Sequence, residues 1–238
     1  LTLAGRVVYA QENWSFHFQL TTVMQGHPSF KAAYSGKNSL ADTAERALSL
    51  TSTFYLGRKL WKGAEAYFNP EISGGRGMSS ALGVAGFPNG ETFRIGDPAP
   101  ALYTARLFIQ QQFNLGHSDT IATEAGPNQL AGFTYKKALF VRAGKFALSD
   151  YFDDNGVSHD PRTGFMNWSL MSNGAWDYPA NTRGYTYSLM AELVLPQWEF
   201  RAATSLVPTY ANGPSIDMHY FKAHAETVEA ARKYEIGG

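Results

Sequence analysis

The chain has 238 residues, with 20 Lys and Arg against 20 Asp and Glu. That balance lacks the basic face that nucleic acid requires and the polybasic patch that docks on anionic lipid. Cysteine is absent, which excludes a disulfide framework, a thiolate nucleophile and a cysteine zinc site. The length suits one large all-β domain or two small ones. Charged residues are only 17% and aromatics reach 14%, against ~25% charged in an ordinary soluble domain. No run of ~18 apolar residues forms a transmembrane helix. With no leader visible at Leu1, a cytoplasmic chain or a processed mature form is expected. A transmembrane barrel stays open, because it hides apolar residues at every second position.

Period two recurs along the chain. In the first segment Trp14, Phe16, Phe18, Leu20 and Met24 share one face, and Ser15, His17, Gln19 and Thr21 the other. This predicts a strand with one apolar and one wet face. Next, Leu48, Leu50, Phe54 and Leu56 oppose Ser49, Thr51, Thr53 and Tyr55. Ala64, Ala66 and Phe68 then oppose Glu65, Tyr67 and Asn69. In the fourth segment Tyr103, Ala105, Leu107, Ile109, Phe113 and Leu115 oppose Thr104, Arg106, Phe108, Gln110 and Gln112. Leu139, Val141 and Ala143 oppose Phe140, Arg142 and Gly144. Tyr185, Tyr187, Leu189, Ala191 and Leu193 oppose Thr186, Ser188, Met190 and Glu192. Trp198, Phe200, Ala202 and Leu206 oppose Glu199, Arg201, Ala203 and Ser205. Two segments, "SLADTAERALSL" and "FKAHAETVEAARKYE", fit an amphipathic helix nearly as well, since Ala, Glu, Lys and Arg are good helix formers. The second is read as a strand.

Alternation alone also fits a soluble sandwich. Two features favour a membrane barrel. The strands run about 9–13 residues, long enough to cross a bilayer at a tilt, against a usual ~5–6. The polar face carries Arg106, Arg142, Glu192, Glu199 and Arg201 in mid-strand, as a water-filled lumen allows. Trp14, Trp61, Tyr103, Phe113, Tyr185, Tyr187 and Trp198 fall toward strand ends, where aromatic girdles sit. The discriminator is what Leu107 and Ile109 meet: a second sheet in a sandwich, lipid in a barrel. Connections alternate long and short, the asymmetry of outer-membrane barrels, although the one after the fourth strand is longer than a turn. Long loops are expected near 25–45, 73–100 and 147–183 within a single domain spanning 1–238.

Three stretches carry a family resemblance: "SSALGVAGFPNGETFRIGDPAPALYTARLF", "AGKFALSDYFDDNGVSHDPRTGFMNWSLMSNGAWDYPANTRGYTY" and "FRAATSLVPTYANGP". In these the chain resembles the carbohydrate-selective porins of Gram-negative outer membranes, the OprB family. The resemblance runs from about Asn13 onward and is strongest from Gly144 to Gly184. It implies an all-β, antiparallel transmembrane β-barrel of porin type, in the cell outer membrane, passing sugars by diffusion without catalysis or cofactor. Family barrels have about sixteen strands, whereas the alternation here supplies roughly eight. The chain is therefore expected to cover about the N-terminal half of such a barrel. The alternative, a closed eight-stranded barrel, has an interior filled by side chains, and the small inward residues Ser49, Thr51, Thr53, Ala203 and Ser205 fit a wide lumen better. Sugars are the implied solutes, with outer-membrane lipid and lipopolysaccharide around the wall and no nucleic acid. Association with other barrels or with itself stays open. A non-transport barrel with a plugged lumen, serving carbohydrate binding or scaffolding, is the alternative function.

The aromatic, charged stretch from Ala147 to Arg183 is expected to fold toward the lumen and form a constriction. Aromatic rings stack on the flat face of a sugar, while Arg, Asp and Asn bond its hydroxyls. The candidate residues are Asp153, Asp154, His159, Asp160, Arg162, Trp168, Trp176, Asp177 and Arg183. Arg94 and Asp97 come from the preceding long loop, and Arg106 and Arg142 from the wall. Bland readings stand beside these. Arg106 and Arg142 brace acidic neighbours, or touch solute, or both. Trp168 and Trp176 pin the loop to the rim, or stack on sugar.

Other chemistry is poorly supported. Setting Gly156 at the sixth place of a calcium loop puts Arg162, not Glu, at the twelfth. Asp153 and Asp154 have no placed partner for glycoside hydrolysis. No G-x-S-x-G elbow accompanies His159, and "GGRG" lacks the setting of a nucleotide fingerprint.

Overall fold

The structure is a computed structural model, and it describes residues 12–36, 39–80, 89–92, 98–116, 119–156, 158, 160–168, 170–172 and 176–234. Ten strands follow in chain order: β1 (Trp14–His27), β2 (Glu45–Trp61), β3 (Ala64–Gly75), β4 (Ala101–Asn114), β5 (Thr120–Thr123), β6 (Gly132–Tyr135), β7 (Ala138–Phe146), β8 (Thr186–Val194), β9 (Trp198–Leu206) and β10 (His224–Arg232). Eight form one antiparallel sheet in the order β1-β2-β3-β4-β7-β8-β9-β10, and β5 and β6 pair separately. Both segments of ambiguous period contribute strand rather than helix among the described residues. The first contributes the start of β2 and the second is β10. Among the described residues the sheet is not closed: β1 and β10 each pair on one side only.

The alternation has one physical cause, that the two faces meet different surroundings. On the outer face Phe16 (66% exposed), Met24 (78%), Leu107 (55%), Ile109 and Leu189 lie open, with no second sheet packed on them among the described residues. So large an open apolar face marks a contact with lipid or protein, and on a meander of long strands it has the pattern of the outer face of a porin-type barrel. Trp14, Trp61, Phe113 and Trp198 all sit at the strand ends beside the short turns, half exposed. Three are joined to polar neighbours: Arg58 lies 3.9 Å over the Trp14 ring and Arg232 5.3 Å over Trp198, and Trp61 Nε1 donates to Gln111 at 2.9 Å. Rings with one apolar and one polar side suit the membrane–water boundary.

β3 and β4 depart from strict alternation. Asn69 pairs with Arg106 but Pro70 pairs with Thr104, leaving Ala105 as an extra residue. Proline has no N–H to give the ladder, so bulges are where strands tolerate it. The bulge reverses the parity of β4 toward the loops. Tyr103 and Ala105, expected outside with Leu107, come to the inner face beside Arg106; Ala105 is fully buried and Tyr103 bonds inner-face groups. Tyr185, just before β8, is also turned inward and buried, so neither tyrosine belongs to a girdle.

Loops and wall meet on the inner face. Tyr67, Phe108, Phe146, Met190 and Ala203 form an apolar patch there, and Leu148 and Phe152 from the β7–β8 connection are buried against it. Gly144 makes the room: a Cβ there would stand 2.3 Å from Leu107 O and 2.6 Å from Phe108 Cα. Below this patch runs a polar row across six strands. Gln110 donates to Glu65 at 3.3 Å, and Arg142 to Gln110 at 2.6 Å and to Glu192 at 2.7 Å. Arg201 then bonds Glu192 at 2.7 Å and Glu229 at 2.6 Å.

Candidate functional site

The β7–β8 connection begins by plunging inward. A single 3-10 turn, Leu148–Asp150, drops Leu148 and Phe152 onto the apolar patch, which carries Asp150 to the wall. There Asp150 takes both hydrogen bonds of a fork from Arg106, Nε at 2.7 Å and Nη2 at 2.6 Å. Planar, two-point contacts of this kind fix orientation as well as charge. Arg106 also lies 5.1 Å over the Tyr185 ring.

Further along, the same connection closes over the wall of β2 and β3. Trp168 Nε1 donates to Thr92 O at 2.9 Å, and Gly90 N to Met166 O at 2.6 Å. Asn89 is buried and donates to Ser49 at 2.9 Å, tying this cover to β2. Arg162 pairs with Glu91 at 2.9 Å and Asp160 at 2.9 Å. Burial pushes the Glu91 carboxyl above its ordinary range, against the pull of Arg162. Gly184, at φ 91°, turns the chain so that Tyr185 enters the lumen and Arg183 stacks 4.0 Å from the Tyr103 ring. Glu71 is the hub of the wall, taking hydrogen bonds from Thr53, Tyr103 and Tyr185.

These groups enclose a cavity of about 170 Å³, lined among others by Arg106, Arg162, Arg183, Glu71, Glu91, Asp150, Tyr103, Trp168, Tyr178 and Tyr185. Burial raises the Tyr178 hydroxyl to about 12, so it stays a neutral donor. Guanidinium donors, carboxylate acceptors, phenols and one indole thus converge on a single space. Among the described residues no cluster of His, Cys, Asp or Glu has the arrangement of a metal site.

The sequence-derived candidates separate into groups. Arg106, Arg162, Trp168 and Arg183 line the cavity. Asp160 stands behind Arg162 and holds it. Arg142 belongs to the polar row and faces a different cavity, nearer the short turns. Asp153 is at the far edge, its backbone N–H donating to Glu229 at 2.6 Å. Asp154 and Asp177 are exposed and line neither cavity. Trp176 packs on Phe152 and Tyr178, an anchor for the loop. Arg94, Asp97 and His159 lie outside the described residues. Sequence reasoning missed Glu71, Tyr103, Tyr185, Asp150 and Glu91. The signal for Tyr103 was Pro70, which forces the bulge; Glu71 continues the inward parity of Glu65, Tyr67 and Asn69.

An antiparallel meander of long strands with a lipid-type outer face, and an inner face roofed by an infolded loop, is the architecture of a porin-type β-barrel wall. The sequence model of the carbohydrate-selective porin family, OprB, matches residues 37–222, and the chain belongs to that family. No curated protein and no solved structure matches it.

Proposed function

We propose that this chain forms part of the wall and the constriction of an outer-membrane channel through which mono- and oligosaccharides diffuse. The family supports carbohydrate-selective transport in general; the observation behind the finer reading is the cavity between the β7–β8 connection and the wall. Its three guanidinium groups already face carboxylates, hydroxyls or rings, so they offer directed donors without a strong net field. A passing sugar meets hydrogen bonds worth roughly 1–3 kcal/mol each against its hydration, strong enough to select and weak enough to release. The work is positioning alone, with no bond made or broken.

The burial of Leu148 and Phe152 on the inner face favours a second reading, a lumen plugged by the same loop. Liposome swelling with the reconstituted protein separates the two. Faster swelling in monosaccharides than in amino acids of similar size is expected. Equal rates would leave a general pore, and no swelling from folded protein would leave a plug.

A further inference from the structure

The connection between β4 and β7 lies on the short-turn side, yet it is long and structured. Its hairpin, β5 paired with β6, folds back over the inner face. Asn69 on the wall donates to Asn128 at 2.9 Å, and Gln112 to Thr134 at 2.7 Å. Leu130 and Ala131 are buried, and Glu12 N donates to Ala131 O at 3.2 Å. A simple turn needs none of this. The hairpin encloses a second cavity of about 230 Å³ against the polar row.

The lining of that cavity differs in kind from the first. Neutral amides are its most numerous polar groups: Gln110, Gln112, Asn128 and Gln129, beside Glu12, Glu65 and Arg142, of which Glu65 and Arg142 are joined through Gln110. Aromatic surface comes from Tyr67, Phe133, Phe140 and Tyr151. Burial raises the Tyr151 hydroxyl to about 12, so it too stays protonated. Thr123 Oγ1, on the cavity wall, is buried with no hydrogen-bond partner among the described residues. A buried hydroxyl left in this state is a place for a donor or acceptor brought by water or ligand. Asp150 lines the first cavity and its neighbour Tyr151 the second, so one 3-10 turn divides the two.

We propose that the β5–β6 hairpin builds a second binding subsite for neutral sugars, on the short-turn side of the constriction. Amide groups bond vicinal hydroxyls without favouring either sign of charge, and Phe133 supplies a ring face that is half exposed. This inference rests on the proposed sugar passage and adds a second stage to it.

The test is block of ion current by maltose, with the protein in planar bilayers and sugar added from either side in turn. Phe133→Ala and Thr123→Val alter the hairpin lining and leave the eight wall strands intact. Each is expected to weaken maltose block from the short-turn side about three- to tenfold, as loss of one contact of roughly 1 kcal/mol requires. Retained heat-modifiable migration verifies folding of both variants. Block unchanged in both, while Arg162→Ala weakens it, would overturn the second subsite and keep the first. Absence of block in the parent protein, with current flowing, would overturn the sugar passage and the subsite together.

Discussion

The polar row and the loop-side cavity both place arginines on the inner face, and they use them differently. Arg201 is saturated by strand neighbours: Glu192, Glu199 and Glu229 all reach it, and it is buried. Arg142 likewise spends its donors on Gln110 and Glu192. Glu199 is two residues from Arg201 along β9, and the other partners stand within two positions of each other in adjacent strands, so the sheet register itself holds them. Arg106 and Arg162 instead meet acids brought by long connections, Asp150 and Glu91. Charges paired strand to strand stiffen a wall. Charges paired wall to loop or loop to loop hold the loop in place, and under the proposed function they shape the opening.

Breaking the row gives the largest expected effect. Glu192 sits between Arg142 and Arg201, so Glu192→Ala takes the paired acid from the buried Arg142 and one of three acids from Arg201. A loss of about 3–5 kcal/mol is expected, read as a lowered midpoint for denaturant unfolding in detergent. Leu148→Ala comes next: it removes a fully buried side chain from the patch that seats the loop. It should cost about 2–4 kcal/mol and also raise single-channel conductance, because the loop loses its anchor. A conductance unchanged beside a clear loss of stability would place Leu148 outside the control of the opening.

A smaller effect belongs to Glu91 in the loop-side cover. Glu91 is held above the ordinary carboxylate range, chiefly by burial. A carboxyl raised by folding contributes stability below its unfolded value and loses it as pH rises through the folded one. Acidification therefore neutralises Glu91 before exposed carboxylates and releases Arg162 from one of its two partners. Sugar block from the loop side should change on mild acidification in the parent protein and lose that dependence in Glu91→Gln. The smallest effect belongs to the outer face: Phe16→Ala should shift stability slightly and leave transport unaltered, as judged by swelling rate.

The open apolar face was legible in the sequence because it depends only on strand parity, which Phe16, Leu189 and Phe200 obey. The fold class and the family followed from it and from the loop signatures. The β4 register was only half legible. Pro70 announces a bulge, but a bulge placed elsewhere would send Tyr103 outward. The cavity was legible in residue type and partly in position, since Arg106, Arg162, Trp168 and Arg183 line it. Its acids were missed because Asp150 and Glu91 acquire their roles from where a loop is seated, and Leu148 decides that seat by burial rather than by pattern.

The central claim is that the inner-face cavity selects the solute, and one paired comparison tests it most directly. Arg106→Ala and Leu107→Ala alter adjacent residues that point to opposite faces. With folding of both verified by heat-modifiable migration, liposome swelling in sugars should change several-fold for Arg106→Ala and little for Leu107→Ala. Equal changes, or a change confined to Leu107→Ala, would contradict the account.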